Sequence, residues 1–323
     1  MTVLTVERHL SPDYLDTALR KDVQCGLTAE PKYLRPVWFY DAAGSDLFEE
    51  ITRLPEYYPT RAEREILTDR ATQIATATGA ETLIELGSGS SDKTRLLLSA
   101  LRAQRTLRRY VPVDVSESAL LGAAHALRAD YPELAIHALV ADFATHLGEL
   151  PGGQRRLVAF LGSTIGNLPP LERAAFLAEL RSTMSTEDAL LLGTDLVKDP
   201  AVLVPAYDDA AGVTAAFNRN VLRVLNRELD ADFVPDAFDH VALWDAEREW
   251  IEMRLRSRYD QTVKVRALNL VVPFAAGEQM RTEISAKFRQ AGVRAELAAA
   301  GFQMTAWWTD RAGRFGLSLS TPF

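Results

Sequence analysis

The fold is decided by Thr82-Leu-Ile-Glu-Leu-Gly-Ser-Gly-Ser-Ser-Asp-Lys-Thr94, in which a short apolar run leads into a glycine-rich turn. A helical pattern with leucines on one side follows from Lys93 to Ala103. Gly87 and Gly89 allow the backbone to approach a ligand closely. A strand, a glycine turn and a helix in this order predict the first unit of an α/β sheet.

The same alternation continues on both sides of that turn. Thr60-Arg-Ala-Glu63 has the pattern of a capping box and predicts the start of a preceding helix. The further predicted strands are residues 110–114, 136–140, 156–162, 189–196, 303–309 and 315–320, and the further predicted helices are residues 118–129, 170–184 and 293–300. This pattern indicates a parallel sheet with right-handed crossovers that ends in an antiparallel hairpin. Such sheets bind ligands beyond the carboxyl ends of their strands.

The alternation fails between Asp199 and Lys287. Polar helices are predicted within Asp208–Leu229, and strands are predicted at Glu249–Arg258 and Val263–Val272. We interpret this region as an inserted α+β domain that the N-terminal residues complete. The predicted boundaries are residues 61–196 and 287–323 for the sheet domain, and residues 1–60 and 197–286 for the inserted domain.

Composition excludes several classes of protein. The chain has 323 residues, 36 Lys and Arg against 44 Asp and Glu, and 47% hydrophobic residues, which excludes disorder as its main state. A pI near 5.3 argues against a nucleic-acid partner, because phosphate binding needs a basic face. The single cysteine, Cys25, excludes intramolecular disulfides and a cysteine-based zinc site, and the five histidines lack metal-ligand spacing.

Targeting signals are missing from the sequence. No apolar run approaches the roughly 20 residues of a membrane span, and no basic region followed by an apolar stretch opens the chain. We therefore expect a cytoplasmic protein that needs no membrane and no metal. Nothing in the sequence demands a second copy, so we expect a monomer.

Three ligand classes compete for the glycine turn. A dinucleotide fingerprint requires a third glycine where Asp92 stands, and a P-loop requires Gly-Lys-Thr where Asp92-Lys-Thr94 stands. A carboxylate at either position would repel a phosphate. S-adenosylmethionine has no phosphate and carries a cationic amino-acid tail, so an acidic first turn suits it. The turn alone is also compatible with two glycines that only shape the chain.

Acidic residues at the next two strand ends favour S-adenosylmethionine. Asp114 closes the second strand, where a carboxylate can accept from both ribose hydroxyls. Asp142 follows the third strand and can accept from an adenine amino group, and Phe143 can cover the ring. Each acid alone is more often a helix cap or turn residue, but three such features at successive strand ends favour this ligand.

The fourth strand leads into Gly162-Ser-Thr-Ile-Gly-Asn167. The Asn167 side chain offers a carbonyl and two N–H donors, which suit a zwitterionic amino acid. A turn or a helix cap before Pro169 is the alternative role, and position alone leaves both open.

Several longer runs carry a resemblance to a known family. They are Trp38-Phe-Tyr-Asp41, Gly44-Ser-Asp-Leu-Phe48, Leu54-Pro-Glu-Tyr-Tyr-Pro-Thr-Arg61, Glu85-Leu-Gly-Ser-Gly89, Phe160-Leu-Gly-Ser-Thr-Ile-Gly-Asn167, Tyr207-Asp-Asp-Ala-Ala-Gly-Val-Thr-Ala-Ala-Phe-Asn218, Thr282-Glu-Ile-Ser285 and Lys287-Phe288. Together they resemble the histidine-specific methyltransferases of ergothioneine biosynthesis, over nearly the whole chain.

The resemblance implies a fold and an activity. The fold is a Rossmann-like class I SAM-dependent methyltransferase sheet with an inserted α+β substrate domain. The activity is trimethylation of the α-amino group of L-histidine by S-adenosyl-L-methionine. The products are hercynine and S-adenosyl-L-homocysteine, and the reaction is the first step of ergothioneine biosynthesis.

The resemblance also implies roles for individual residues. Those that would hold the cofactor are Gly87, Lys93, Asp114, Asp142 and Phe143, with Lys93 able to pair with the cofactor carboxylate. Those that would hold the amino acid are Tyr40, Tyr57, Asn167, Tyr207, Met253, Glu283, Ile284 and Ser285. The proton acceptor for the amine is not assigned to any residue.

The spacing of Glu283 and Ser285 fits an imidazole ring. Positions i and i+2 of a strand face the same side. Glu283 can accept from the donor nitrogen of neutral imidazole, and Ser285 can donate to its acceptor nitrogen. By spacing alone a solvated strand is the more common explanation, and the resemblance favours the site.

Two other functions stay open on the sequence. An N-methyltransferase of tryptophan-derived amines would not use the Glu283 and Ser285 pair, because indole has no acceptor nitrogen. A non-catalytic protein that only binds S-adenosylmethionine would lack an amine pocket.

Overall fold

The computed structural model describes residues 4–11, 13–89 and 93–323. Asp92, whose carboxylate argued against a phosphate ligand, lies outside the described residues. The described strands are β1 (Leu4–Arg8), β2 (Thr82–Leu86), β3 (Arg109–Asp114), β4 (Ala135–Val140), β5 (Arg156–Phe160), β6 (Ala189–Asp195), β7 (Phe238–Asp245), β8 (Trp250–Ser257), β9 (Gln261–Val265), β10 (Leu270–Phe274), β11 (Gln279–Ala286), β12 (Phe302–Thr309) and β13 (Phe315–Pro322). The described helices are α1 (Tyr14–Thr28), α2 (Ala42–Ile51), α3 (Pro59–Thr78), α4 (Thr94–Ala103), α5 (Glu117–Asp130), α6 (Pro170–Ser182), α7 (Pro200–Leu203), α8 (Val213–Leu229) and α9 (Gln290–Ala299).

The first compact unit contains the large sheet. It comprises the described residues of Met1–Ser11, Pro59–Leu196 and Phe288–Phe323. The strand order is β1-β4-β3-β2-β5-β6-β13-β12, parallel from β1 to β6, with β13 antiparallel to both β6 and β12. Every residue of β2, β5 and β6 is buried, which is why these strands are nearly continuous apolar runs. The predicted α/β sheet with its terminal hairpin is confirmed.

The N-terminal strand differs from the prediction. β1 pairs in parallel with β4, and Val6 packs on a buried cluster that includes Leu120 and Ala138. The described residues before Pro12 therefore belong to the sheet unit and not to the inserted domain, where the predicted boundaries put them. An edge strand with only two apolar residues, Leu4 and Val6, gives a weak signal in the sequence.

The second compact unit comprises the described residues of Pro12–Tyr58 and Val197–Lys287. It contains a three-stranded antiparallel sheet of order β11-β8-β7 and a two-stranded sheet of β10 and β9. The prediction of one strand over residues 263–272 is wrong, because the chain reverses there. Asn269 adopts a left-handed φ of +49°, which asparagine tolerates better than most residues, and Val265 pairs with Leu270 across the resulting hairpin.

Candidate active site

The glycine turn lies at the carboxyl end of β2. Gly87 and Gly89 have φ angles of +68° and +48°, the left-handed region that glycine enters without strain. A Cβ atom on Gly87 would lie 3.5 Å from Cε1 of Phe143, whereas a Cβ atom on Gly89 would meet no described atom within 4 Å. The turn therefore brings Gly87 against Phe143, while no described atom packs against Gly89 on that side.

Asp114 closes β3 and fixes this turn. Its Oδ2 accepts a hydrogen bond from the Gly89 N–H at 3.2 Å, and its Oδ1 accepts one from the Ser116 N–H at 3.0 Å. Low-dielectric surroundings nevertheless raise the pKa of this partly exposed carboxyl group. The neighbouring Ser88 hydroxyl is buried and lacks a hydrogen-bond partner among the described residues. A ligand with hydroxyl groups fits here, because it would supply donors to the carboxylate and a partner to the serine.

Asp142 and Phe143 follow β4 at the same edge of the sheet. The Oδ1 atom of Asp142 accepts from the Ala144 N–H at 2.8 Å, which holds the carboxylate in a local turn. The Phe143 ring stands edge-on to Phe160 and Phe176, with centroid distances of 5.2 Å and 6.3 Å. The chain thus fixes a carboxylate and one side of an aromatic ring near the glycine turn.

Lys93 is paired with a carboxylate that the sequence did not reveal as part of the site. Its ammonium forms an ion pair with Glu63 of α3, a side chain that is fully buried. Both Glu63 oxygens accept from the backbone N–H of Gly162, at 2.8 Å and 3.0 Å. The predicted capping box from Thr60 is wrong, because the Glu63 carboxylate lies over the sheet edge and not over the start of its own helix. Gly193 of β6 leaves the space that this carboxylate occupies, since a Cβ there would collide with Glu63.

Glu85 is a second buried carboxylate, one residue before the end of the strand that precedes the glycine turn. It accepts from the Tyr110 hydroxyl at 2.5 Å and from the hydroxyl of Thr94, the first residue of α4. Burial raises the pKa of Glu85 to about 7, although both hydrogen bonds oppose that shift. Glu85 therefore joins the start of α4 to β2.

Asn167 ends a single 3-10 turn, Thr164–Asn167, beyond β5. Gly162 and Ser163 both have left-handed φ angles, +73° and +60°, so the chain turns sharply there. The Ser163 hydroxyl accepts from the Asp195 N–H at 2.9 Å and anchors the turn to β6. Asn167 is half-buried and lies at the carboxyl edge of the sheet, as do the predicted cofactor residues.

The second unit contains a buried polar cluster of Tyr207, Ser285 and Lys287. The Tyr207 Oη and Ser285 Oγ atoms are 2.8 Å apart, and Lys287 Nζ donates to each of them at 2.8 Å. None of the three residues is more than 8% exposed. No role was predicted for Lys287, although it continues the alternate spacing of Glu283 and Ser285 and so gave a signal.

Pairing of β11 with β8 shows which side chains share a face. Glu283 lies opposite Met253, and Ser285 lies opposite Ile251. Directly opposed residues of antiparallel strands share a face, so Glu283, Ser285 and Met253 lie on one side of the sheet. The side chain of Ile284 points to the other side, where it is buried, so the structure does not bring it together with the other three.

The remaining predicted tyrosines of this unit form an aromatic row. Tyr40 is 42% exposed, and its ring lies 5.6 Å from that of Phe48. The Phe48 ring lies 6.2 Å from Tyr57, and the Tyr57 ring lies 6.4 Å from Tyr207. The row offers several ring edges and faces beside the polar cluster.

A second layer of hydrogen bonds holds Tyr207 by its backbone. His240 donates from Nε2 to the Tyr207 carbonyl at 2.7 Å, and its Nδ1 accepts from the Asn218 amide at 2.8 Å. The Asn218 orientation is fixed because its Oδ1 accepts from Thr282 at 2.6 Å while its Nδ2 also donates to the Arg254 carbonyl. Burial lowers the pKa of His240, in keeping with this neutral tautomer.

Two further observations concern the described part of the chain. No group of three or more His, Cys, Asp or Glu side chains is arranged there to hold a metal ion. None of the helices within residues 4–11, 13–89 and 93–323 has the length and apolarity needed to cross a membrane.

The parallel sheet that ends in an antiparallel hairpin is a Rossmann-like methyltransferase fold. A family described as "Histidine-specific methyltransferase, SAM-dependent" matches residues 19–322. The chain belongs to this family.

Individual relatives cover the chain to different extents. The chain is 60% identical to histidine N-alpha-methyltransferase of Mycolicibacterium smegmatis, over 98% of its own length and 99% of the relative. The same comparison with histidine N-alpha-methyltransferase of Mycobacterium tuberculosis gives 58%, again over 98% and 99%. Ergothioneine biosynthesis protein 1 of Neurospora crassa is 35% identical over 61% of this chain and 23% of that protein.

Proposed function

We propose that this protein transfers three methyl groups from S-adenosyl-L-methionine to the α-amino group of L-histidine. The product is hercynine, and the reaction is the first step of ergothioneine biosynthesis. Membership of the histidine-specific family and 60% identity to a histidine N-alpha-methyltransferase over the whole chain support this assignment.

The structural observation that carries the proposal is the placement of Glu283 beside the cluster of Tyr207, Ser285 and Lys287. Glu283 and Ser285 share one face of β11, so a planar ring between them would meet an acceptor and a hydroxyl donor. Neutral imidazole presents the complementary donor and acceptor. A ring with both groups pairs with both side chains, whereas a ring that lacks one of them makes one hydrogen bond fewer and binds less favourably.

The cofactor residues follow from the polar groups at the sheet edge. Asp114 would accept from the ribose hydroxyls, Asp142 from the adenine amino group, and Phe143 would cover the adenine ring beside Gly87. Lys93 would pair with the cofactor carboxylate while Glu63 balances its charge. We assign no metal to the reaction.

The remaining residues would bind the amino-acid end of the substrate. Tyr57, Asn167 and Tyr207 would hold the amino and carboxylate groups, with Tyr40 near the amine and Met253 at the pocket floor. The amine loses hydrogen-bond donors with each methylation and ends as a quaternary cation, which aromatic faces attract. A site of tyrosine rings and hydroxyls therefore suits every stage of the series.

The chemistry is a direct in-line displacement by the neutral amine. The cofactor supplies an electrophilic sulfonium methyl group and becomes S-adenosyl-L-homocysteine. The protein contributes by holding the amine in line and by removing water, which together supply most of the rate enhancement of such a reaction.

Mass spectrometry of reaction products tests the proposal. The purified protein is incubated with excess S-adenosyl-L-methionine and L-histidine, L-tryptophan or histamine. We expect a product three methyl groups heavier from L-histidine alone. Methylation of tryptophan but not of histidine would contradict the imidazole assignment, and methylation of histamine would contradict the need for the substrate carboxylate.

A further inference from the structure

Lys287 directly follows β11 and is 4% exposed. Its backbone N–H donates to the Glu249 carbonyl at 2.7 Å, which fixes the chain at the strand end. Its ammonium donates to Tyr207 Oη and to Ser285 Oγ, both at 2.8 Å. An ammonium group has only donors, so both oxygens must accept from it. Lys287 therefore acts on two residues that the proposed function places around the substrate.

The hydrogen bonds of Ser285 can be counted. A hydroxyl group has one hydrogen to donate and two lone pairs that accept. Lys287 uses one Ser285 lone pair, and the Tyr207 hydroxyl lies 2.8 Å away. A phenol is more acidic than an alcohol and is the stronger donor, so Tyr207 donates and Ser285 accepts. Both Ser285 lone pairs are then used, and its hydrogen is left for a ligand.

We propose that Lys287 is a specificity-determining residue that forces Ser285 to act only as a donor towards the substrate ring. The inference rests on the proposed function and deepens it. Without Lys287, the Ser285 hydroxyl could accept as well as donate, and it would tolerate a ring N–H. With Lys287 in place, only a ring with an acceptor atom satisfies Ser285.

Glu283 selects for the other ring nitrogen, the one that carries a hydrogen. It lies on the same face of β11, two residues before Ser285, and an ionised carboxylate only accepts. A neutral imidazole then fits in one orientation, with its N–H towards Glu283 and its bare nitrogen towards Ser285. Lys287 touches no part of the ring in this arrangement, so it is a positioning residue that acts through Ser285.

The experiment compares two ligands by calorimetry in the presence of S-adenosyl-L-homocysteine. L-Histidine has the ring nitrogens, and β-(2-thienyl)-L-alanine is a five-membered ring analogue that has none. The variants are Lys287→Met, Lys287→Gln, Lys287→Arg, Ser285→Ala and the double variant with Lys287→Met and Ser285→Ala. Lys287→Gln keeps a polar side chain but adds an acceptor to which Ser285 can donate.

We expect Lys287→Met and Lys287→Gln to weaken L-histidine binding by about tenfold or more, because the Ser285 hydrogen is then no longer directed to the ring nitrogen and that buried hydrogen bond is weakened. Binding of the thienyl analogue should change by less than about threefold. Lys287→Arg should restore most of the preference, because a guanidinium also only donates. The double variant should discriminate between the two ligands as well as Ser285→Ala alone does, because both changes affect the same interaction.

Three results would overturn the inference. The first is equal weakening of both ligands in Lys287→Met and Lys287→Gln, which indicates a purely structural lysine. The second is unchanged discrimination in Lys287→Gln, which would count against the inference even if Lys287→Met failed to fold. The third is a double variant whose loss of discrimination between the two ligands equals the sum of the losses in Lys287→Met and Ser285→Ala. Failure of the proposed function is a separate outcome, in which the unmodified protein neither binds nor methylates L-histidine.

Discussion

Both carboxylate oxygens of Glu63 accept from the backbone N–H of Gly162, at 2.8 Å and 3.0 Å, and the same carboxylate pairs with Lys93. Lys93 stands directly before α4, and Gly162 begins the turn that leads to Asn167. A fully buried carboxylate is tolerated only when its hydrogen bonds are satisfied. Glu63 therefore fixes the turn after β5 relative to the start of α4.

Replacement of Glu63 by Gln tests this connection. The amide removes the negative charge and directs an NH₂ group towards either the ammonium or the Gly162 N–H. We expect the free energy of unfolding to fall by about 3 kcal/mol, as when a buried ion pair loses one partner. We also expect affinity for S-adenosyl-L-homocysteine to fall roughly tenfold. Urea unfolding and calorimetry measure the two effects.

The control for this change is Asp69→Asn on the exposed side of the same helix. It also replaces a carboxylate by an amide, and we expect it to leave both quantities unchanged. If Glu63→Gln bound the product as tightly as the unmodified protein, the role of Glu63 at the cofactor site would be wrong.

Glu85 predicts a specific dependence of stability on pH. Its pKa is about 7 in the folded protein against an ordinary value of 4.5. Between these values the folded protein keeps a proton that the unfolded chain has released. The free energy of unfolding therefore falls as pH rises through this window, by roughly 3 kcal/mol from this group.

Glu85→Gln isolates the contribution of this carboxyl group. Glutamine has nearly the shape of protonated glutamic acid and does not titrate. Urea unfolding of both proteins at pH 5, 6, 7 and 8 should show the unmodified protein losing stability relative to the variant up to about pH 7, and little change above it. A constant difference over the whole range would mean that Glu85 does not titrate in this window.

The placement of polar residues at the strand ends could be predicted because it depends on local sequence. Gly87, Asp114 and Asp142 each follow an apolar run, and parallel strands bring their carboxyl ends to one edge. Glu63 could not be placed in this way, because its position three residues after Thr60 fits a capping box equally well. Only the packing of α3 on the sheet, with Gly193 leaving space, decides between the two roles.

The polar cluster of the second unit was half predicted for a similar reason. Alternation in a strand is enough to place Glu283 and Ser285 on one face. It cannot reveal that the hydroxyl of Tyr207, far away in the sequence, is hydrogen-bonded to Ser285, nor that Lys287 is buried. Such contacts depend on tertiary packing, as does the left-handed Asn269 that divides one predicted strand into two.

His240 predicts an effect on substrate binding without contact with the reacting atoms. Its Nε2 donates to the Tyr207 carbonyl, and its Nδ1 accepts from the Asn218 amide. His240→Ala leaves the Tyr207 carbonyl without that donor, so we expect the KM for L-histidine to rise about tenfold. The affinity for S-adenosyl-L-homocysteine should stay the same.

Steady-state kinetics and calorimetry separate the two effects, and His240→Gln is the matched comparison. Its amide can still donate to the carbonyl, so its KM should lie between those of the unmodified protein and the alanine variant. If His240→Ala lost affinity for L-histidine and for S-adenosyl-L-homocysteine equally, general unfolding of the site would be indicated.

Glu283 predicts the selectivity for the substrate ring. Glu283→Ala removes the acceptor for the imidazole N–H and opens space beside Met253, which lies opposite it on β8. We expect kcat/KM for L-histidine to fall by about 10- to 100-fold, while kcat/KM for L-tryptophan stays equal or rises, because the space left by the Glu283 side chain accommodates the larger indole ring. Glu283→Gln keeps an acceptor oxygen at the same position and should retain most of the preference.

The ratio of kcat/KM for the two amino acids measures the effect in each protein. If that ratio is the same in the alanine variant and the unmodified protein, Glu283 does not read the ring, and the selectivity must come from other residues of the pocket.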